Sequence, residues 1–294
     1  MKRLLAAIDF SEHSRRAAWR GALLAREHSA ALELLHVQDR ASATSLRDLL
    51  GGREGRRPDA TAHARRLLAE WGEDIRSRWA VQARVRVDRG DVLPALLARS
   101  ERSDLVLLGA QGWNPVRDWI VGSTPERLLG RLACPSLVVR RVARAAYRHV
   151  VVAVDLSEAS FPAIETARRL APGARFTLAH VFGLPFEGKL RYAGVADAAI
   201  QRYRQEARHE ALDKLVALVR RLPGDYGVFE PVLRHGHPSR VLVELARQRR
   251  ADLVVAGRGH RRLAEEWIIG SVTRHVLSAA SADVLVVPPE NGRA

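Results

Sequence analysis

The sequence predicts an α/β protein of two tandem, open doubly wound domains, each with a five-stranded parallel sheet. Two observations lead to this fold class. The chain of 294 residues contains the same pattern twice, and within each copy short apolar runs alternate with longer helical stretches. Alternation of strands and helices is typical of parallel sheets that are covered by helices on both faces.

The internal repeat is visible in matching sequence blocks. Residues 119–123 (WIVGS) recur as residues 267–271 (WIIGS), and five further pairs of blocks match at a similar offset. A fixed offset along the whole chain is the signature of a duplicated unit. We therefore predict a first domain at residues 1–143 and a second at residues 147–290, joined by a short polar connection.

Ten strands are expected, and several are apolar throughout, as in strands buried on both faces of a sheet. They lie near residues 3–8, 31–37, 82–88, 104–108, 136–140, 148–154, 175–182, 228–234, 252–256 and 283–287. Helices are predicted in the first copy at residues 12–28, 60–78, 92–101 and 124–132. The last strand of each copy would be a sheet edge that needs covering. Pairing of the two copies as an intrachain pseudo-dimer and formation of a homodimer both satisfy this need.

The net charge of +15 and the pI of about 11.2 suit a partner such as nucleic acid or an anionic membrane. Only three of the 48 basic residues are lysines, however, and no block reaches the roughly five like charges of a basic arm. Aromatic residues make up 5%, which disfavours a base-stacking surface. We therefore expect a solvated, arginine-rich surface and no nucleic-acid partner.

Composition also limits the cellular setting. The single cysteine, Cys134, excludes an internal disulfide framework. No apolar run approaches the roughly 20 residues of a membrane span. The N-terminus begins like a signal peptide, but Asp9 ends the apolar stretch too early. These features predict a cytoplasmic protein.

Residues at the carboxyl ends of the strands are the candidates for a site, because ligands of doubly wound sheets bind there, where the strand order reverses. Asp9 ends the first predicted strand, and Val37 ends the second. Gly109 ends the fourth and opens a segment with the spacing Gly-x2-Gly-x9-Gly-Ser-Thr, residues 109–124, which we call the first glycine loop. The other motif residues of the loop are Gly112, Gly122, Ser123 and Thr124.

The glycine loop suits a phosphate group. Glycines let the backbone approach a ligand closely, and the start of a helix offers unpaired N–H groups and the positive end of its dipole. Ser123 and Thr124 add hydroxyl donors. The alternative is that one of these hydroxyls only caps the helix before Pro125, with the glycines serving tight turns. Spacing alone leaves both interpretations open.

Taken together, these motifs resemble the universal stress protein (UspA) family. The resemblance rests on the start Ile8-Asp9-x-Ser11, the second strand at residues 35–37 (LHV), the fourth strand at residues 103–109 and the glycine-loop spacing. It covers essentially the whole chain as a tandem of two such domains. It implies the adenine nucleotide α-hydrolase-like fold and, as in one branch of the family, binding of ATP, with or without Mg²⁺.

Carried over residue by residue, the resemblance implies roles for the strand-end residues of the first copy. Asp9 and Val37 would contact the adenosine part of the nucleotide. The ribose and phosphates would be held by Gly109, Gly112, Gly122, Ser123 and Thr124.

The second copy departs from this pattern. In its loop, residues 257–272, which we call the second glycine loop, His260 occupies the position of Gly112. An imidazole there would take up space near the nucleotide, so we expect ATP mainly in the first domain. With Asp155 and three further histidines, His260 would also suit a zinc site, although these histidines serve equally well in packing and hydrogen bonding. The three are His180, His235 and His237.

Catalytic motifs are missing from the sequence. There is no P-loop lysine and no Gly-x-Ser-x-Gly nucleophile elbow. Ser11 and Ser157 stand where a helix cap is expected. We therefore expect a nucleotide-binding module for stress response or signalling and not an enzyme. The alternatives are a nucleotide-independent scaffold for unknown protein partners and a weak ATPase or phosphotransfer enzyme, in which Asp9 would help to hold Mg²⁺.

Overall fold

The first repeat folds into alternating strands and helices close to the predicted bounds. Its elements are β1 (Arg3–Ala7), α1 (Glu12–His28), β2 (Ala31–Gln38), α2 (Ala60–Trp79), β3 (Ala83–Arg89), α3 (Val92–Ser100), β4 (Leu105–Gly109), α4 (Thr124–Arg131) and β5 (Ser136–Val139). The computed structural model describes residues 1–39, 60–111, 124–184, 189, 192–223, 226–259, 262–263, 266–267 and 269–289.

The second repeat has the same order of main elements, and its glycine loop contains a short hairpin. Its elements are β6 (His149–Ala153), α5 (Ser160–Leu170), β7 (Arg175–Phe182), α6 (Asp197–Arg220), β8 (Phe229–His235), α7 (Pro238–Gln248), β9 (Leu253–Gly257), β10 (Arg262–Leu263), β11 (Glu266–Trp267), α8 (Ser271–Ala279) and β12 (Asp283–Val287). Within the described ranges, no helix is both long and apolar enough to cross a membrane.

Each repeat is an open parallel sheet of five strands. The strand order is β3-β2-β1-β4-β5 in the first repeat and β8-β7-β6-β9-β12 in the second. The order reverses beside the first strand of each repeat, between β1 and β4 and between β6 and β9. The predicted doubly wound α/β fold is therefore confirmed, and each repeat has one switch point at which a ligand crevice can form.

The two sheets join into one sheet of ten strands, because β5 pairs antiparallel with β12. Leu137 lies opposite Leu285, which is its own equivalent in the other repeat. Ser136 pairs with Val286, and Val138 pairs with Val284. A local twofold axis thus passes through the Leu137–Leu285 pair, and the last strand of each repeat covers that of the other within one chain.

Apolar side chains pack on both faces of this sheet, and each layer continues from one repeat into the other. One layer includes Leu68 on α2, Ile164 on α5 and Leu215 on α6. The opposite layer includes Leu96 on α3 and Leu242 on α7. Because the layers cross the β5–β12 junction, the two repeats share their core.

A buried carboxylate fixes the connection between the repeats. Asp283 is completely buried and accepts hydrogen bonds from the backbone N–H groups of Arg140 (2.8 Å) and Arg141 (2.9 Å). It also accepts a 2.6 Å bond from the Tyr147 hydroxyl and lies 3.4 Å from Nε of the buried Arg20. Burial, together with the Asp283 charge, raises the pKa of Tyr147 well above its usual range.

Replacing Asp283 with alanine should destabilise the protein strongly. The change leaves the buried Arg20 guanidinium without its carboxylate, so we expect the free energy of unfolding to fall by about 3–5 kcal/mol in urea denaturation. The matched control is Glu73→Ala, which removes an exposed ion pair with Arg76 and should cost no more than about 1 kcal/mol. Equal losses in the two variants would contradict a structural role for Asp283.

Candidate functional site

A cavity of about 350 Å³ opens at the switch point of the second repeat. Its floor is formed by residues at the carboxyl ends of the strands, including Ala179 on β7 and Ala256 on β9. Asp155 and Ser160 form one side, and Ser271 at the start of α8 forms part of the opposite side. Its size falls in the range of about 300–1,000 Å³ that is typical of small-molecule sites.

Two alanines make room for this cavity. Ala179 and Ala256 occupy the positions of Leu35 and Leu108 in the first repeat, and all four side chains are buried. Each leucine is larger than alanine by an isopropyl group, so the described strand ends leave less room at these positions in the first repeat than in the second. The difference follows directly from a comparison of the two sequence copies.

The strand-to-helix turn also differs between the repeats. Helix α1 begins at Glu12, and Oγ of Ser11 accepts from the N–H of Ser14 at 3.1 Å, so the predicted cap at Ser11 is present. The predicted cap at Ser157 was wrong. Its N–H and hydroxyl both donate to Oδ1 of Asp155, at 3.0 and 2.7 Å, and α5 begins only at Ser160.

The later start of α5 leaves Gly257 open. In the first repeat, a Cβ at Gly109 would lie 2.7 Å from the carbonyl carbon of His13 and from the nitrogen of Ser14. At Gly257, no atom of the described residues lies within 4 Å of the corresponding Cβ position. Gly109 is therefore needed for close packing against the first turn of α1, whereas the same position in the second repeat borders the cavity.

The structure brings three of the predicted first-repeat site residues to neighbouring strand ends. Asp9 is exposed at the end of β1, and its Oδ1 accepts from the N–H (2.9 Å) and hydroxyl (2.6 Å) of Ser11. Val37 is buried in the core at the end of β2. Gly109 ends β4, and Thr124 begins α4. The remaining predicted residues, Gly112, Gly122 and Ser123, lie outside the described residues.

The two histidines of the second strands hold the sheet together. Nδ1 of His36 bonds to the carbonyl oxygen of Ile8 at 2.8 Å, and Nδ1 of His180 bonds to that of Val154 at 2.9 Å. The contact is the same in both repeats and ties the carboxyl end of the first strand to the second. It fits the packing and hydrogen-bonding role that the sequence left open.

Two more histidines of the zinc set that the sequence suggested, His235 and His237, also have contacts of their own. The ring of His235 packs at 5.2 Å from that of Phe182. Nδ1 of His237 bonds to the Ser239 hydroxyl at 2.8 Å. In the described part of the chain, no three His, Cys, Asp or Glu side chains form a group that could hold a metal ion. His260 lies outside the described residues.

Polar backbone groups border the cavity at the start of α8. The N–H of Gly270, which precedes the helix, donates to the carbonyl oxygen of Arg258 at 2.9 Å. The hydroxyl of Thr273 donates to the carbonyl oxygen of Gly257 at 2.7 Å. The first turn of a helix offers unpaired N–H groups and positive partial charge. The cavity therefore combines an apolar floor with one end that suits an anionic group.

The strand order and the repeated strand-end loop define a tandem protein of the doubly wound α/β class. The sequence profile of the Universal stress protein family matches residues 1–140 and 146–288. The chain belongs to the universal stress protein family.

Individual relatives agree with this assignment. A universal stress protein A homolog of Haemophilus ducreyi is 33% identical over 149 residues, which cover 48% of this chain and 96% of that protein. Universal stress protein Rv2005c of Mycobacterium tuberculosis is 27% identical over 198 residues, covering 66% of this chain and 65% of that protein.

The fold is found in solved structures of comparable length. A universal stress protein of Archaeoglobus fulgidus superposes with a TM-score of 0.68 at 17% identity, covering 97% of this chain and 98% of that chain. For a putative universal stress protein of Pseudomonas aeruginosa the TM-score is 0.62 at 17% identity, covering 99% of this chain and 95% of that chain.

The two equivalent glycines should respond differently to a methyl group. Gly109→Ala places the Cβ against the backbone of α1, so we expect a loss of about 1–3 kcal/mol in the free energy of unfolding. Gly257→Ala is the matched control, because its Cβ enters open space, and it should change stability by less than about 0.5 kcal/mol. Urea titrations followed by circular dichroism measure both values. A larger loss for Gly257→Ala would contradict the described difference between the switch points.

Proposed function

We propose that this universal stress protein binds an adenine nucleotide and acts as a nucleotide-dependent module in stress response or signalling. The observation that carries the proposal is the cavity at the switch point of the second repeat. It stands where doubly wound sheets bind their ligands, and its volume of about 350 Å³ suits the nucleoside part of a nucleotide.

The two ends of the cavity match the two parts of such a ligand. The apolar floor at Ala179 and Ala256 suits a flat base, which gains from leaving water. The start of α8 near Gly270 and Ser271 suits the phosphates, because helix N-termini attract anions. The net charge of +15 adds a long-range attraction for ATP or a related anion. Mg²⁺ would accompany the phosphates as their counterion.

The proposal gives the second repeat a larger part than the sequence indicated. The complete Gly-x2-Gly-x9-Gly-Ser-Thr motif favours the first repeat, which stays a second candidate site. The described residues favour the second, since the bulkier Leu35 and Leu108 occupy the corresponding strand-end positions in the first. We propose ligand binding without turnover, and protein partners that respond to occupancy.

Filling the cavity floor should abolish binding in the second repeat. Ala256→Leu restores the residue found at position 108, and we expect the Kd for ATP to rise at least tenfold, about 1.4 kcal/mol, in isothermal titration calorimetry. Overpacking should lower the free energy of unfolding by no more than about 1–3 kcal/mol, which thermal melting measures.

The matched variant in the first repeat is Gly122→Asp, which adds a carboxylate to the first glycine loop. If the second repeat is the site, Gly122→Asp retains binding and Ala256→Leu loses it. The reverse pattern would assign the nucleotide to the first repeat. Absence of binding to the wild-type protein at millimolar ATP would favour the nucleotide-independent scaffold. Turnover that is lost in Asp9→Ala would favour the weak enzyme.

A further inference from the structure

Helix α4 of the first repeat is in contact with the second repeat at three points, two in the second glycine loop and one in α8. The loop leaves β9 at Arg258, returns as β11, which packs against α4, and enters α8, where Arg274 lies in the first turns. One of these contacts, at Arg258, also borders the second-repeat cavity.

Arg258 holds the carboxyl end of α4. Its side chain is 4% exposed, and Nη1 donates to the carbonyl oxygens of Leu132 at 2.5 Å and Leu129 at 3.3 Å. The last carbonyls of a helix have no intrahelical donors and carry negative partial charge, so a guanidinium stabilises them. Burial lowers the pKa of Arg258 to about 10, which leaves it charged at neutral pH.

Arg258 also belongs to the cavity wall. It lies between two glycines that line the cavity, and its carbonyl oxygen accepts the bond from Gly270 that closes the loop against α8. One residue therefore contacts the cavity and, through its side chain, the end of a helix in the other repeat. A ligand in the cavity would therefore border a residue whose side chain holds the end of α4.

An ion pair ties the other end of α4 to α8. Nε of Arg274 donates to Oε1 of Glu126, and both side chains are partly buried. The two residues occupy equivalent positions in the two repeats, so the pair crosses the local twofold axis. Arg274 lies one turn after Ser271, which borders the cavity. Both ends of α4 are thus held by arginines from the elements that form the second-repeat cavity.

We propose that occupancy of the second-repeat cavity is coupled to the order of α4 in the first repeat by Arg258 and the Glu126–Arg274 pair. The nature of the ligand rests on the proposed function, whereas the coupling rests on these contacts. Coupling between two sites is reciprocal, so a change at α4 must alter both the second glycine loop and its affinity for a nucleotide.

Glu126→Gln in the full-length protein tests this proposal, because it breaks the ion pair without touching the cavity. In nucleotide-free protein, we expect the amide exchange rates of Arg258 and Gly270, measured by NMR, to rise about fivefold. With ATP, we expect the Kd to rise about fivefold, within the usual size of coupling effects. The double variant Glu126→Arg with Arg274→Glu restores the pair and should restore both values.

The matched control is Glu210→Gln, which removes an exposed ion pair with Lys214 on α6 and should change neither value. Unchanged exchange at Arg258 and Gly270 in Glu126→Gln, or an equal change in Glu210→Gln, would overturn the proposal. So would a Glu126→Gln variant that melts at a lower temperature while its exchange rates and Kd stay the same. If ATP does not bind the wild-type protein, the proposed function fails, and exchange in the nucleotide-free protein alone decides the coupling.

Discussion

The antiparallel pairing of β5 with β12 is the constraint on which the rest of the structure depends. Backbone hydrogen bonds between these strands place Leu137 opposite Leu285 and create the local twofold axis. That axis brings α4 and α8 into contact and makes the two core layers continuous across the repeats. The cavity wall at Arg258 consequently has a neighbour in the other repeat, which a single domain would lack.

This junction accounts for part of the arginine excess. Arg20 lies against Asp283, and the side chain of Arg140 donates to the carbonyl oxygen of Leu277 near the end of α8. The side chain of Arg258 donates in the same way to the carbonyl oxygen of Leu132, directly after the end of α4. Arginine suits such sites because its planar guanidinium stays charged when buried and donates in several directions. In the opposite repeat, no arginine occupies the positions equivalent to Arg20, Arg140 and Arg258. If two copies of the first repeat were paired in the same way, Glu126 would face a second glutamate. The two repeats are therefore adapted to each other.

The sequence predicted the strands and the doubly wound fold well because apolar runs and the internal repeat are local, repeated signals. The missing cap at Ser157 could not be predicted from residue type. Ser11 and Ser157 donate to Asp9 and Asp155 in the same way, yet α1 begins directly after Ser11 and α5 begins only at Ser160. The sequence did contain a sign of the cavity, because Ala179 in the second repeat replaces the larger Leu35 of the first. A small apolar residue is not part of any recognisable motif, however, so this difference did not point to a site. The partners of Arg258 lie more than 100 residues away, so no local pattern points to them.

Photoaffinity labelling of the full-length protein tests whether the second repeat holds the nucleotide. An 8-azido-ATP probe is crosslinked, competed with unlabelled ATP, and located by mass spectrometry of the resulting peptides. We expect competed label in the segments that line the cavity, within residues 153–181, 238–242 and 256–289. Competed label confined to residues 1–143 would contradict this expectation.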